Sequence, residues 1–279
     1  MTGRSVDDAR VPLDRWLVTA AAVVWVAGTL VGTGAVGGGG VATQGEGLFS
    51  DHATLIAPQG PAFSIWSLVY VGLAAWVVWQ WLPTSTRSPL AAVSRRPGAA
   101  SLVLNGLWLL VVAAGWLTAS VLVMAGIVVS LGLVLRACAR QPREGVVADL
   151  VVGVTFGLYL GWICVATCAN VASWLVGLGV PVDSGPSTAI TVAVLAVVVV
   201  LAGALMLRAG RLPFATALAA AVVWGTGWVS AGRFTGELRS DVVGWAAALT
   251  AVAVAAVWGA TVRRTVSGGA PPTPRGTPR

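Results

Sequence analysis

Residues 151–177 read VVGVTFGLYLGWICVATCANVASWLVG, a run with no charged side chain. A hydrocarbon core about 30 Å thick is crossed by roughly 20 apolar residues of helix, so this run is long enough to span a bilayer. Its few polar residues are not scattered. At 100° per residue, Tyr159, Trp162, Ala166, Asn170 and Ser173 share an arc of about 80° on one face. The stretch raises two questions for the rest of the chain: how many such spans there are, and what their marked faces surround.

The composition answers the first. Of 279 residues 57% are hydrophobic, and only 17 basic and 10 acidic side chains are present, a charge content of 10% against about 25% in soluble domains. A soluble enzyme is excluded, and the apolar content fills about eight spans. The expected class is an all-α, polytopic membrane helical bundle. Apolar runs between polar breaks place spans at about 16–36, 62–82, 98–117, 119–138, 147–177, 187–207, 212–231 and 242–262. Pro58 and Pro61 precede the second span, Pro83 and Pro89 follow it, Pro97 opens the third, and Pro181 and Pro186 flank the connection after the fifth. Almost nothing polar joins the third and fourth spans near Trp116 to Ser120. Gly37 to Gly40 end the first span and begin a long loop with Glu46, Asp51 and the single histidine, His52. The first apolar run is too long for a signal-peptide core and reads as a retained span. The tail from Ser267, rich in Pro, Gly and Thr, reads as disordered.

All 17 basic residues are Arg, and fifteen of them alternate onto one side of this division. They lie in the N-terminus, the second, fourth and sixth loops, and the tail. Only Arg233 and Arg239 fall on the other side, balanced by Glu237 and Asp241. By the positive-inside rule both termini are cytoplasmic, in a multi-pass protein of the plasma (inner) membrane. The same alternation accounts for the net charge of +7 without a nucleic-acid partner; the lipid bilayer is the partner. No charge falls deep within a span, which argues against an ion-coupled pump.

Three spans carry marked faces. On the second, Phe63, Trp66 and Tyr70 fall within about 60°; on the third, Asn105 and Trp108 lie about 60° apart; the fifth carries the stripe already quoted. An amide in hydrocarbon must find a partner, so Asn105 and Asn170 face protein or a cavity. Two readings stay open. The amides are interhelical hydrogen-bonding glue, worth about 0.6–2 kcal/mol each, with the aromatics as core filler; or the three faces line a pocket for a flat, mostly apolar ligand. Trp16, Trp79, Trp81, Trp245 and Trp258 lie near span ends and read as interfacial anchors, and Trp224 and Trp228 as packing. Gly28 and Gly32 are a small-xxx-small pair for close helix approach. Cys138, Cys164 and Cys168 read as buried small residues, and His52 as a loop histidine. No metal-binding spacing, phosphate loop or hydrolytic triad is present.

At these residues the sequence resembles the TspO/MBR family, the tryptophan-rich sensory proteins related to the mitochondrial translocator protein. The resemblance is carried by Trp66 and Tyr70 behind Pro58 and Pro61, by Leu102, Leu104, Asn105 and Trp108, and by Tyr159, Trp162, Ala166 and Asn170. It implies a five-helix bundle over residues 15–178, after a cytoplasmic N-terminus of residues 1–14, with three additional spans over 179–264 and a tail of 265–279. It also implies a pocket between spans two, three and five, lined by Phe63, Trp66, Tyr70, Asn105, Trp108, Tyr159, Trp162, Ala166 and Asn170. The family's ligands are tetrapyrroles, with porphyrin or haem bound as ligand and no required cofactor, in sensing, scavenging or transport. Some bacterial members are reported to degrade porphyrin in light with two pocket tryptophans, which correspond to Trp66 and Trp162. No basic residue lies between Arg143 and Arg208, so the sterol motif of animal relatives is missing. The alternative is a facilitative transporter of another small metabolite. The last three spans are expected to seal the pocket laterally or to form a homodimer surface.

Overall fold

In the computed structural model, which describes residues 6–35, 47 and 50–267, eight helices are long and apolar enough to cross a membrane. They are α1 (Val6–Gly32), α2 (Ile65–Trp79), α3 (Pro89–Ala113), α4 (Leu117–Ala139), α5 (Thr155–Gly177), α6 (Gly185–Ala209), α7 (Leu212–Thr235) and α8 (Asp241–Ser267). A 3-10 turn, Gly60–Ser64, leads into α2, a short helix, Pro83–Thr86, links α2 to α3, and a π-helical turn, Asp149–Val154, leads into α5. Among the described residues there is no strand. The Gly37–Gly40 run, Glu46 and the tail beyond residue 267 lie outside the described residues.

The eight spans fall where the apolar runs put them, with two corrections. α1 starts at Val6, ten residues before the apolar run, so Arg10 and Arg15 lie on it. α3 starts at Pro89 rather than at Pro97, so Arg95 and Arg96 lie on a helix instead of in a loop. Pro89 suits the first helical turn, and Ser88 caps the helix by accepting from the Ala91 N–H. Glu144 adds a carboxylate there, accepting from the Leu90 N–H at 2.7 Å and from the Ser88 hydroxyl at 2.5 Å. This capping starts the helix at Pro89 and carries it through Pro97. Arg95 is then buried, its guanidinium donating to Gln80 Oε1 (2.9 Å) and to the Ser85 carbonyl (3.3 Å). The weakly marked break between the third and fourth spans is real: Gly115, at φ +71°, turns the chain between α3 and α4.

Contacts order the first five helices as a ring: α1, α2, α5, α4, α3 and back to α1. Two close crossings fix the frame. α1 meets α3 at Gly28 and Gly106, where an added Cβ on Gly28 would come 2.5 Å from the Gly106 carbonyl oxygen. α5 meets α7 along Gly157 and Gly161, against the Phe214 and Leu218 carbonyls. Small residues let helix backbones approach and gain dispersion contacts that lipid does not supply. α7 therefore lies along the outside of the ring against α5, with α8 beside it and α6 packed against α8 and α7. The ring's interior is filled by Leu73, Trp76, Leu102, Ile127, Phe156 and Ile163.

The Arg-rich loops gather at one end of the bundle. There Arg15 donates to Ser85 and Thr86, Arg96 pairs with Asp14 at 3.1 Å, and Arg211 pairs with Asp149 while donating to the carbonyls of Cys138, Gln141 and Pro142. At the other end Arg233 is buried and donates to the carbonyls of Thr54 (3.1 Å) and Asp51 (2.8 Å), stapling the stretch before α2 onto α7. Of the expected anchors, Trp16, Trp81 and Trp245 are exposed. Trp79 is buried and donates to Thr84 (3.1 Å), and half-buried Trp258 donates to Thr216 (3.0 Å), so these two are packing residues.

Candidate functional site: an aromatic cluster between α2 and α5

Trp66 faces the ring because α2 repeats its aromatic positions at three- and four-residue intervals. Its indole touches three other rings, with centroids at 5.3 Å to Tyr70, 5.9 Å to Tyr159 and 6.1 Å to Trp162. Phe63, in the 3-10 turn, sets its edge on Trp162 at 5.6 Å, and Trp25 of α1 meets Tyr70 at 5.1 Å. Most of these pairs are edge to face, the arrangement that aligns ring quadrupoles, each worth about 0.5–1.5 kcal/mol beyond the area it buries. Asn105 joins from α3, accepting a hydrogen bond from the Tyr70 hydroxyl at 3.3 Å. Tyr159 reaches the same helix lower down and donates to the Ser101 carbonyl at 3.4 Å.

The nine expected site residues divide. Phe63, Trp66, Tyr70, Asn105, Tyr159 and Trp162 come together in this cluster. Trp108 and Asn170 meet elsewhere, nearer the α3–α4 turn. There the Trp108 indole donates to Asn170 Oδ1 at 3.1 Å, and the Asn170 amide donates to the Ser120 hydroxyl at 3.1 Å. That link ties α3, α4 and α5, so its amide has the interhelical partner that hydrocarbon demands. Ala166, half-buried, packs on the α7 side of Trp162.

One buried N–H group at the cluster, Trp162 Nε1, has no hydrogen-bond acceptor, whereas Trp25 and Asn105 lie beside the hydroxyls of Tyr70 and Tyr159. Trp162 is wholly buried. Such a group costs about 1–3 kcal/mol, and native interiors rarely keep one. Access to the cluster is along α2, where Phe63 is 36% exposed and Trp66 and Tyr70 are half-buried.

Three contributors, Trp25, Trp224 and Trp228, are not among the nine. Trp25 shares its face of α1 with Gly28 and Gly32, and that shared face is the sequence signal for it. On α7, Trp224 donates to the Ala62 carbonyl at 2.9 Å and meets Trp228 at 5.6 Å, while the Trp228 carbonyl accepts from the Gln59 N–H at 3.2 Å. α7 thereby closes the cluster on the Trp162 side. The cysteines lie apart from it: Cys168 turns its thiol to the Cys164 carbonyl of its own helix. His52 sits between Asp51 (3.3 Å) and Glu237 (3.9 Å) at the bundle end.

Residues 16–260 match the TSPO-like protein family. The chain belongs to that family. No curated protein and no solved structure matches it. In this TSPO-like protein the match runs past residue 178, through α6 and α7 and into α8. The helices beyond the five-membered ring are thus inside the family's match, in keeping with the glycine-lined crossing that holds α7 to α5.

Proposed function

We propose that this multi-pass membrane protein binds a flat tetrapyrrole-class ligand at the Trp66–Trp162 cluster, for sensing, scavenging or transport. Both termini lie on the cytoplasmic face of the inner membrane in this reading. One observation carries it: Trp162 is fully buried among the rings of Phe63 and Trp66, with its indole N–H unmatched by any acceptor. A porphyrin supplies a wide π-face for the indoles and a ring or carboxylate acceptor for the Trp162 N–H.

The rings touch one another, so the ligand enters by separating them, and α2 is the wall that yields. α1 and α3, and α5 and α7, cross backbone to backbone at glycines, whereas Gly72 of α2 meets only the Thr155 side chain and α2 touches α1 and α5 far more sparingly. Displacing α2 exposes Trp66 and Tyr70 to one face of the ligand and leaves Tyr159 and Trp162 as the opposite face.

Titration of the purified protein with protoporphyrin IX tests this. Saturable quenching of Trp fluorescence with a red-shifted Soret band is expected, and Trp66→Phe combined with Trp162→Phe weakens it at least about tenfold, the loss of one good stacking contact. A native protein that produces neither signal overturns the reading. A double variant that binds as well as the native protein moves the ligand elsewhere.

A further inference from the structure

At the Arg-rich end of the bundle, away from the aromatic cluster, a cavity of about 270 Å³ opens between the end of α6, the start of α7 and the last turns of α8. Arg143, Arg211 and Arg264 line it together with Thr265, buried Met206 and exposed Leu207. A second hollow of about 180 Å³ adjoins it through Arg143, Arg211 and Thr265.

The three arginines are not equivalent. Arg211 is spent: every guanidinium nitrogen is engaged, on Asp149 and the carbonyls of Cys138, Gln141 and Pro142. It builds the wall. Arg143 and Arg264 are exposed and make no ion pair among the described residues. The nearby carboxylates are already taken, Asp149 by Arg211 and Glu144 by the N-terminus of α3. Two free guanidinium forks therefore face a hollow whose floor is apolar and whose flank, Leu207, is exposed at the lipid-facing surface.

We infer that this cavity binds the headgroup of an anionic phospholipid from the leaflet at the Arg-rich end. Arg143 and Arg264 take the phosphate oxygens in bidentate fashion, and an acyl chain runs down past Leu207 between α6 and the rest of the bundle. A basic hollow between transmembrane helices at headgroup depth is the form such sites take. The continuity of charged rim and apolar floor selects a lipid over a free anion, because a soluble phosphate has no use for the Leu207 flank. The bound lipid joins α6, α7 and α8, where no close glycine crossing holds α6 to its neighbours: Gly203, its glycine facing α8, leaves room for a Cβ, and Gly185 at its start meets nothing.

The test is native mass spectrometry of the detergent-purified chain with phosphatidylglycerol or phosphatidylcholine of matched chains, with inorganic phosphate as a competitor. Phosphatidylglycerol is expected to be retained in preference to phosphatidylcholine and to be displaced poorly by millimolar phosphate. Arg143→Gln and Arg264→Gln each lower its occupancy constant about fivefold, following roughly 1 kcal/mol per basic residue at the membrane surface. Arg208→Gln, an exposed arginine on the same end but outside the lining, leaves it unchanged. Equal retention of both lipids, full displacement by phosphate, or the same loss with Arg208→Gln overturns the site. The substituted side chains are exposed, so unchanged thermal unfolding in detergent accompanies the expected result.

Discussion

The indoles of Trp66 on α2 and Trp162 on α5 meet edge to face, 81° apart with centroids 6.1 Å from each other, and the Trp162 N–H points at no acceptor. A native interior does not ordinarily spend its largest side chain on an unmatched donor. The pair is a structural seam as well as the centre of the proposed site.

That seam separates stability from hydrogen bonding. Trp76 is as deeply buried as Trp162, but its indole donates to Ser94 at 3.2 Å. Trp162→Phe loses volume and no hydrogen bond, so it costs about 1–2 kcal/mol. Trp76→Phe loses similar volume together with the bond to Ser94, whose hydroxyl keeps only its donation to the Ala91 carbonyl, and costs about 1 kcal/mol more. Thermal unfolding in one detergent compares the two, and a Trp162→Phe protein less stable than Trp76→Phe contradicts the unmatched state of its N–H.

The two buried asparagines divide the same way. Asn170 closes the Trp108–Ser120 link between α3, α4 and α5, so Asn170→Ala is expected to lower stability by about 1–2 kcal/mol and leave protoporphyrin titration intact. Asn105 accepts from Tyr70 inside the cluster, so Asn105→Ala removes that acceptor and weakens titration several-fold. Identical ligand curves for the two variants reject the division.

Much of this was readable before any coordinates. Hydrocarbon permits only long apolar helices, so the eight spans and the side shared by most arginines follow from run length and loop charge. The face shared by Phe63, Trp66 and Tyr70 follows from helical period. What stayed hidden depends on depth and neighbours. Arg95 and Arg96 read as loop residues because charge ended the apolar run, whereas capping by Ser88 and Glu144 extends α3 through them. Asn105 and Asn170 look alike in sequence, and only the packing assigns one to the rings and the other to Ser120. The spacing of Gly153, Gly157 and Gly161 is plain in the sequence, but that it faces α7 is a fact of assembly.

The α5–α7 crossing makes a further test. An added methyl on Gly161 would press on the Leu218 carbonyl and the Ala221 Cβ, so Gly161→Ala forces the helices apart. A cost of about 1–3 kcal/mol is expected, as for other overpacked sites. Because α7 also holds the Ala62 carbonyl through Trp224, the same change loosens the Phe63 edge and weakens protoporphyrin binding. Gly132→Ala, where the methyl meets open space, serves as the comparison and is expected to be neutral in both measurements.

At the opposite end from the arginine-rich loops, Arg233 holds residues 50–59 by charged hydrogen bonds to two main-chain carbonyls, and the Gln59 N–H adds a third tie to α7. Arg233→Leu keeps bulk and removes both donors. Each charge-assisted bond contributes about 1.5–3 kcal/mol, so the loss is about 3 kcal/mol or more and is concentrated in the loop. Hydrogen exchange is expected to rise in the stretch from Asp51 to Gln59 while the amides of α5 near Trp162 keep their protection, since α5 is held independently by its glycine crossing to α7. Faster exchange spread evenly over α5 and α7 assigns Arg233 to the packing of the whole bundle and rejects its role as a local staple.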